Sequence, residues 1–289
     1  MRLKITLAAA TAVALLAGAA PAALAQTAAG PGEWRAVAPE NLLVIETSKG
    51  RVIAELDPRV APISVDRVRT LANQGFYDGL TWHRVLDGFM AQGGDPLGTG
   101  EGGSELPDIV AEFGFRRGRA DGFVQIAPPS NGAGQTGVIG SMPVQTQPDA
   151  QMMVTADFKV DANALFCPGV LGMARAGEPD SANSQYFIMT AANSNLNGSY
   201  TPFGRVLSGL EVVRSLKKGT DANNGAVTNP DLMVRVRTAS ALPEAERPAA
   251  RVLTTVSPAF AAQVEAARTR LGGRFSVCDV QPTAEVTGG

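Results

Sequence analysis

The side chains with the greatest capacity for chemistry lie in residues 82–95, Trp-His-Arg-Val-Leu-Asp-Gly-Phe-Met-Ala-Gln-Gly-Gly-Asp. Asp87-Gly88 between apolar flanks is a strong signal for a tight β-hairpin turn. Strand alternation then puts Met90 and Gln92 on one face, with Phe89 beside the turn and Arg84 across the hairpin. A fixed cation, an amide and an apolar wall on one surface suit the holding of a peptide. The same residues equally describe a partly exposed hairpin whose arginine is merely solvated.

Other chemistries lack their groups. A metal site needs several clustered ligands, whereas the chain has one histidine, His83, and two distant cysteines, so neither metal nor cofactor is expected. A serine hydrolase would have to use His83 as its base, and no G-x-S-x-G elbow occurs; His83 is expected to be a packed, hydrogen-bonded interior residue. Residues 98–103 fit G-x-G-x-x-G, but no helix opens after them and no βαβ unit surrounds them, so they read as a glycine loop. The only basic cluster, Arg116-Arg117-Arg119, fits a solvated loop, and no nucleic-acid partner is expected.

A second set of motifs narrows the reading. Gly172-Met173-Ala174-Arg175-Ala176-Gly177 is followed by Ser184-Gln185-Tyr186-Phe187-Ile188-Met189-Thr190 and then Phe203-Gly204-Arg205-Val206. Together with His83-Arg84 and residues 88–95, in this order, they resemble the cyclophilin family of peptidyl-prolyl cis-trans isomerases over roughly residues 42–241. The resemblance implies a mainly β fold, a closed eight-stranded antiparallel barrel capped by two helices. It implies an enzyme that rotates X-Pro peptide bonds in proline-containing polypeptide clients.

The resemblance also assigns roles. Arg84 would be the catalytic residue. Phe89, Met90, Phe187 and Leu196 would form the apolar pocket for the proline ring, with Tyr200 as a wall. Gln92 would hydrogen-bond the substrate backbone, Ala174 and Arg175 would form a peptide-binding edge, and Gln185 would complete the groove. Arg175 replaces the family's usual asparagine and changes the local charge. Tyr200, where eukaryotic members usually carry histidine, is common in bacterial-type members. Asn195 stands where many members carry tryptophan. A chaperone that holds proline peptides with little turnover, and a scaffold that merely presents its added segments, are the alternatives; Arg84, Phe89, Met90, Gln92 and Phe187 together argue against the scaffold.

The remaining chain must position these residues. Arg2 and Lys4, the apolar run 5–20 and Ala23-Leu24-Ala25 form an expected signal peptide at 1–25, too short for a span and broken at Pro21. Its removal leaves 264 residues and, with two cations lost, moves the formal charge from −2 to −4. The mature chain is then expected to be exported, in the periplasm, with no membrane span and as a monomer. Residues 26–39 read as a flexible leader, and 40–241 as the cyclophilin-like domain. Runs 42–47 and 51–56 read as strands; Ser64 reads as an N-cap ahead of a helix with Val65, Val68, Leu71 and Ala72 inward. A second helix is expected at 209–218 and a closing strand at 232–237.

Two segments are additions. An insertion at about 118–165 carries the apolar runs 137–140 and 152–154; it fits either a hairpin or lid near the groove or a passive surface excursion. Residues 242–289 form a C-terminal α/β extension: Ser257-Pro258 opens a helix with Phe260, Val264, Ala267 and Leu271 on one face, and 275–280 reads as a strand. In an oxidising compartment Cys167 and Cys278 are candidates for a disulfide, since neither lies in a C-x-x-C motif or near His83.

Asn195 lacks the indole surface and donor that tryptophan would offer the family's cyclic-peptide inhibitor, cyclosporin. Titration calorimetry should therefore find weak cyclosporin binding that Asn195→Trp strengthens. Nanomolar affinity of the unaltered chain would refute this placement of Asn195.

Overall fold

The computed structural model describes residues 30–128 and 134–288; the expected signal peptide lies outside the described residues. Among them no helix is long and apolar enough to cross a membrane. The first strand among the described residues is β1 (Trp34–Ala36), inside the stretch expected to be a flexible leader. It is ordered by a distant partner that the local sequence does not announce.

β2 (Leu42–Thr47) and β3 (Gly50–Leu56) form a hairpin, followed by helix α1 (Pro62–Asn73). Ser64 does not cap this helix as expected. Pro62 occupies the first turn, and the Glu112 carboxylate accepts from the backbone N–H groups of Ile63 (2.9 Å) and Ser64 (2.8 Å). A remote anion thus satisfies the orphan donors and complements the helix dipole. β4 (Arg84–Leu86) and β5 (Met90–Gly93) make the next hairpin, turning at Gly88 with φ 63°.

The insertion is neither a single hairpin nor an excursion. β6 (Phe115–Arg117), β7 (Val124–Ala127), β8 (Gln135–Ile139), β9 (Met142–Thr146) and β10 (Val160–Ala164) form an antiparallel sheet in the order β6-β10-β9-β8-β7. Of the expected apolar runs, 137–140 belongs to the β8–β9 hairpin, whereas 152–154 ends a 3-10 helix, Asp149–Val154, that buries only Met152.

β11 (Val170–Met173), β12 (Tyr186–Met189), β13 (Pro202–Ser208), the short helix α2 (Leu210–Ser215) and β14 (Met233–Thr238) complete the main sheet. Its order is β14-β2-β3-β13-β11-β12-β5-β4. The expected closed barrel is thus a curled, open sheet, because a loop intervenes at the seam. β4 receives the 223–227 segment instead of β14: Val85 donates to the Gly225 carbonyl (2.8 Å) and Val227 to that of His83 (3.0 Å). Beyond it the seam is pinned by the isolated Thr81–Leu232 bridge. The interior is apolar and aromatic, with Tyr186 edge-on to Tyr77, Trp82 and Phe203 at 5.4–6.3 Å between ring centres.

The tail supplies β15 (Ala249–Leu253), helix α3 (Pro258–Leu271) and β16 (Ala284–Thr287). β15 lies between β1 and β16, so the leader and tail share a three-stranded sheet over the outer face of β2 and β3. Residues 275–280, expected as a strand, turn instead through a 3-10 helix, Val277–Asp279, because the Asp279 carboxylate accepts from the N–H and hydroxyl of Ser276 (2.7 and 3.0 Å). α3 buries Phe260, Val264 and Ala267 against the insertion sheet, and Leu271 is half-buried.

A polar junction ties these parts together. Glu55 on β3 accepts a bidentate bond from Arg35 on β1 (2.5 and 2.8 Å) and one from the Ser141 hydroxyl in the β8–β9 turn (2.6 Å). Arg205 on β13, paired in register with Glu55 and only 2 % exposed, donates to the Ser141 carbonyl (3.0 Å). Burial pushes its pKa down to about 9.

Cys167 and Cys278 are joined, with Cα atoms 4.9 Å apart and 111 positions between them in sequence. In the chain-entropy model a ring of that size restricts the unfolded state by about 5 kcal/mol. Reduction, or Cys167→Ser with Cys278→Ser, should lower the melting temperature and hasten proteolysis of residues 242–288. An unchanged melting curve would show that apolar contacts alone hold the tail.

Candidate functional site

The β4–β5 register sets Arg84 opposite Gln92, while Val85 and Ala91 between them face the main core. Across the next ladder Gln92 pairs with Phe187, and Phe187 pairs with Gly172 on β11. Arginine, glutamine and phenylalanine thus stand in one row across three strands. Glycine ends the row for a steric reason. A Cβ at residue 172 would come within 2.6 Å of the rings of both Phe187 and Phe166.

Hydrogen bonds lock the row. Arg84 donates from Nε to the Asn224 carbonyl (2.9 Å), from Nη2 to Asn224 Oδ1 (2.9 Å) and from Nη1 to Gln92 Oε1 (3.0 Å). Gln92 Nε2 donates to Gln185 Oε1 (2.9 Å), whose Nε2 donates to the carbonyls of Gly100 (3.0 Å) and Gly102 (2.7 Å). The Asp95 carboxylate stiffens that glycine loop by accepting from the N–H groups of Leu97, Thr99 and Gly100. Burial alone would raise the Asp95 pKa; these backbone bonds outweigh it and hold it below the usual carboxylate range. Among the described residues Arg84's partners are all uncharged, and two of its five N–H groups remain for a ligand. Burial lowers its pKa, yet a guanidinium keeps its charge at any physiological pH.

These side chains face a groove of about 590 Å³. Arg84, Phe89, Met90, Gln92, Ala174, Arg175, Phe187, Leu196 and Tyr200 all line it. Gln185 does not: it is buried behind Gln92 and borders a neighbouring depression with Ala174 and Arg175. Asn195 is exposed and does not line the groove. Phe187 meets Tyr200 edge-on at 5.9 Å. The Arg175 guanidinium lies 4.7 Å over the Tyr200 ring and donates to the carbonyls of Ser199, Ala176 and Gly177, so it clamps the groove wall. Among the described residues none of the insertion lines the groove; its sheet packs behind Met90 and Phe187, which share its apolar core.

Sequence reasoning missed Asn224. Asn223-Asn224-Gly225 is a turn signal, and Asn224 has φ 53°, but nothing local shows that this turn reaches Arg84. His83 differs from expectation. It is buried at the groove, but neither ring nitrogen has a well-formed hydrogen bond among the described residues. Burial lowers its pKa, which keeps it neutral at pH 7.

The chain is similar to known proteins. The family model for cyclophilin type peptidyl-prolyl cis-trans isomerase/CLD matches residues 42–238. A probable peptidyl-prolyl cis-trans isomerase of Brucella suis is 34% identical over 208 residues, covering 68% of this chain and 82% of that protein. Peptidyl-prolyl cis-trans isomerase B of Bacillus subtilis is 34% identical over 165 residues, covering 57% and 82%. The crystal structure of cyclophilin AquaCyp293 from Hirschia baltica superposes with a TM-score of 0.79 at 33% identity, covering 89% of this chain and 95% of that one. The family match spans 197 of 289 residues, about 68%, so the likeness to the Hirschia protein must reach into the leader and tail. The chain belongs to the cyclophilin-type peptidyl-prolyl cis-trans isomerases.

Proposed function

We propose that this isomerase acts on proline-containing segments of exported polypeptides and that Arg84 is its catalytic residue. The observation that carries the second point is a guanidinium fixed by three bonds to the uncharged acceptors of Asn224 and Gln92 at the edge of an apolar pocket. An X-Pro bond resists rotation because the nitrogen lone pair is delocalised into the carbonyl. At the twisted transition state that pair localises on nitrogen and becomes a stronger acceptor. A preorganised cation placed there binds the twisted form more tightly than either planar isomer, which is the condition for catalysis. Phe89, Met90, Phe187, Leu196 and Tyr200 would seat the proline ring, while Gln92 and the Ala174–Arg175 edge would hold the flanking backbone.

In a protease-coupled assay on proline tetrapeptides, Arg84→Ala should lower kcat/KM by ~100-fold or more, the scale of losing one preorganised donor. Asn224→Gly keeps the left-handed backbone and deletes only the Oδ1 bond, so a loss of roughly tenfold is expected. Melting curves should hardly move in either variant. Arg84→Ala at the rate of the unaltered protein would remove the mechanism, and slow turnover of both with tight peptide binding would favour the holding chaperone.

Export is supported by the charged start, apolar run and small-x-small site at residues 1–25, and by the disulfide, a bond that persists in oxidising compartments. N-terminal sequencing of periplasmic material should begin at Gln26. Recovery only in the cytoplasm with Met1 retained would overturn this placement.

A further inference from the structure

The strands β9 and β10 have an inner face of Val144, Thr146, Val160, Ala162 and Ala164, all buried. Their opposite face carries Gln145, paired in register with Asn163, then Gln147 and Asp161. This polar face is partly exposed, and Gln147 and Asp161 reach solvent. With Gln151, and with Ser194, Asn197 and Gly198 opposite, it encloses a cleft of about 590 Å³. Several of its amides keep capacity for a ligand. Among the described residues, Gln147 accepts from the Asp161 N–H and Asn197 from the Phe166 N–H while the NH2 donors of each are unused, and the Gln151 side chain has no partner. Side-chain amides both donate and accept, which suits a polypeptide backbone whatever its sequence.

Two features say what the cleft would hold. One turn separates it from the groove: Leu196 and Tyr200 line the groove, and Ser194, Asn197 and Gly198 line the cleft. Between the cleft residues Gln151 and Asp161 the chain carries an apolar knob, with Met153 67 %, Val154 86 % and Phe158 64 % exposed. This knob is built, not frayed. Arg116 binds both oxygens of Asp157 (2.7 and 3.2 Å) and the Lys159 carbonyl (2.6 Å), and the Thr155 hydroxyl bridges the carbonyls of Met152 and Lys159. Phe158 is held at φ 51°, a left-handed conformation that bulky residues rarely adopt. Large apolar side chains held out in a cluster mark an interaction surface.

We infer that the cleft and its knob form a second polypeptide site, which takes an extended, apolar segment of an unfolded client whose proline occupies the Arg84 groove. The inference rests on the isomerase reading of that groove. Contact at both places makes the second encounter intramolecular, so a client long enough to span them binds more tightly than a short peptide. The groove performs the rotation; the cleft raises residence and selects unfolded chains over single proline turns.

The test compares Met153→Ser/Val154→Ser/Phe158→Gly, glycine being suited to φ 51°, and separately Gln151→Ala, with the unaltered full chain. One substrate is a proline tetrapeptide. The other is a reduced, carboxymethylated protein whose refolding is limited by one X-Pro bond, and its binding is also titrated by fluorescence, independently of turnover. Tetrapeptide kcat/KM should stay within about twofold, while affinity for the unfolded protein and catalysis of its refolding should fall about tenfold or more for the triple variant, through KM. Gln151→Ala, at an exposed and unpartnered side chain, should show a smaller fall of the same kind should the triple variant fail to fold. Equal activity on both substrates would overturn the inference, as would equal loss on both. A dimer of the unaltered chain that the triple variant abolishes, with unfolded-protein binding unchanged, would assign the knob to a second copy instead. Failure of the unaltered chain on tetrapeptides, with the binding difference intact, would refute the isomerase reading alone.

Discussion

The site depends on keeping one guanidinium still without neutralising it. A carboxylate beside Arg84 would fix it more strongly, but it would also cancel the charge that the groove offers. The chain uses neutral acceptors instead: the main-chain and side-chain oxygens of Asn224 on one flank and the Gln92 amide on another. Each acceptor is itself held. Gln92 leans on Gln185, Gln185 on two glycine carbonyls, and the glycine loop on Asp95. The open seam of the main sheet follows from the same requirement, since the segment that carries Asn224 occupies the edge of β4 where a barrel would close.

The apolar half of the groove is supported differently. Met90 and Phe187 present one side to the groove and share the other with Val138 from the insertion and with Phe260 and Val264 from the tail. The added segments therefore brace the pocket from behind, and an interior packed at that density transmits little freedom to the rings in front. The leader, insertion and main sheet meet again at Glu55, where Arg35 and Ser141 satisfy a carboxylate that burial would otherwise penalise. Arg205 nearby donates to the carbonyls of Pro168 and Ser141, and its burial depends on the same junction remaining closed.

What could be read in the sequence was what local physics decides. Asp87-Gly88 forced a turn, and the spacing of Val65, Val68, Leu71 and Ala72 fixed a helix face, as did Phe260, Val264 and Ala267. The groove residues were legible because their motifs resemble a known family, not because spacing alone placed them together. The misses are long-range. β1 exists because β15 pairs with it from more than two hundred residues away. The cap of α1 comes from Glu112, which outbids Ser64, and Asn224 reaches Arg84 from a turn 140 positions distant. Residues 275–280 had the composition of a strand, yet one short-range carboxylate bond at Ser276 turned them.

The Cys167–Cys278 bond makes a covalent loop of everything between them. β11 to β15, α3 and the Asn224 turn all hang from this one loop, whereas the Arg84 hairpin lies outside it. A backbone cut at an exposed point such as 220–224 would consequently open the loop without releasing a fragment. The nicked molecule would keep its mass and its paired sheets, and only the fine placement of Asn224 against the guanidinium would be lost. Damage at that point would loosen the groove while leaving a molecule that looks whole until its disulfide is reduced.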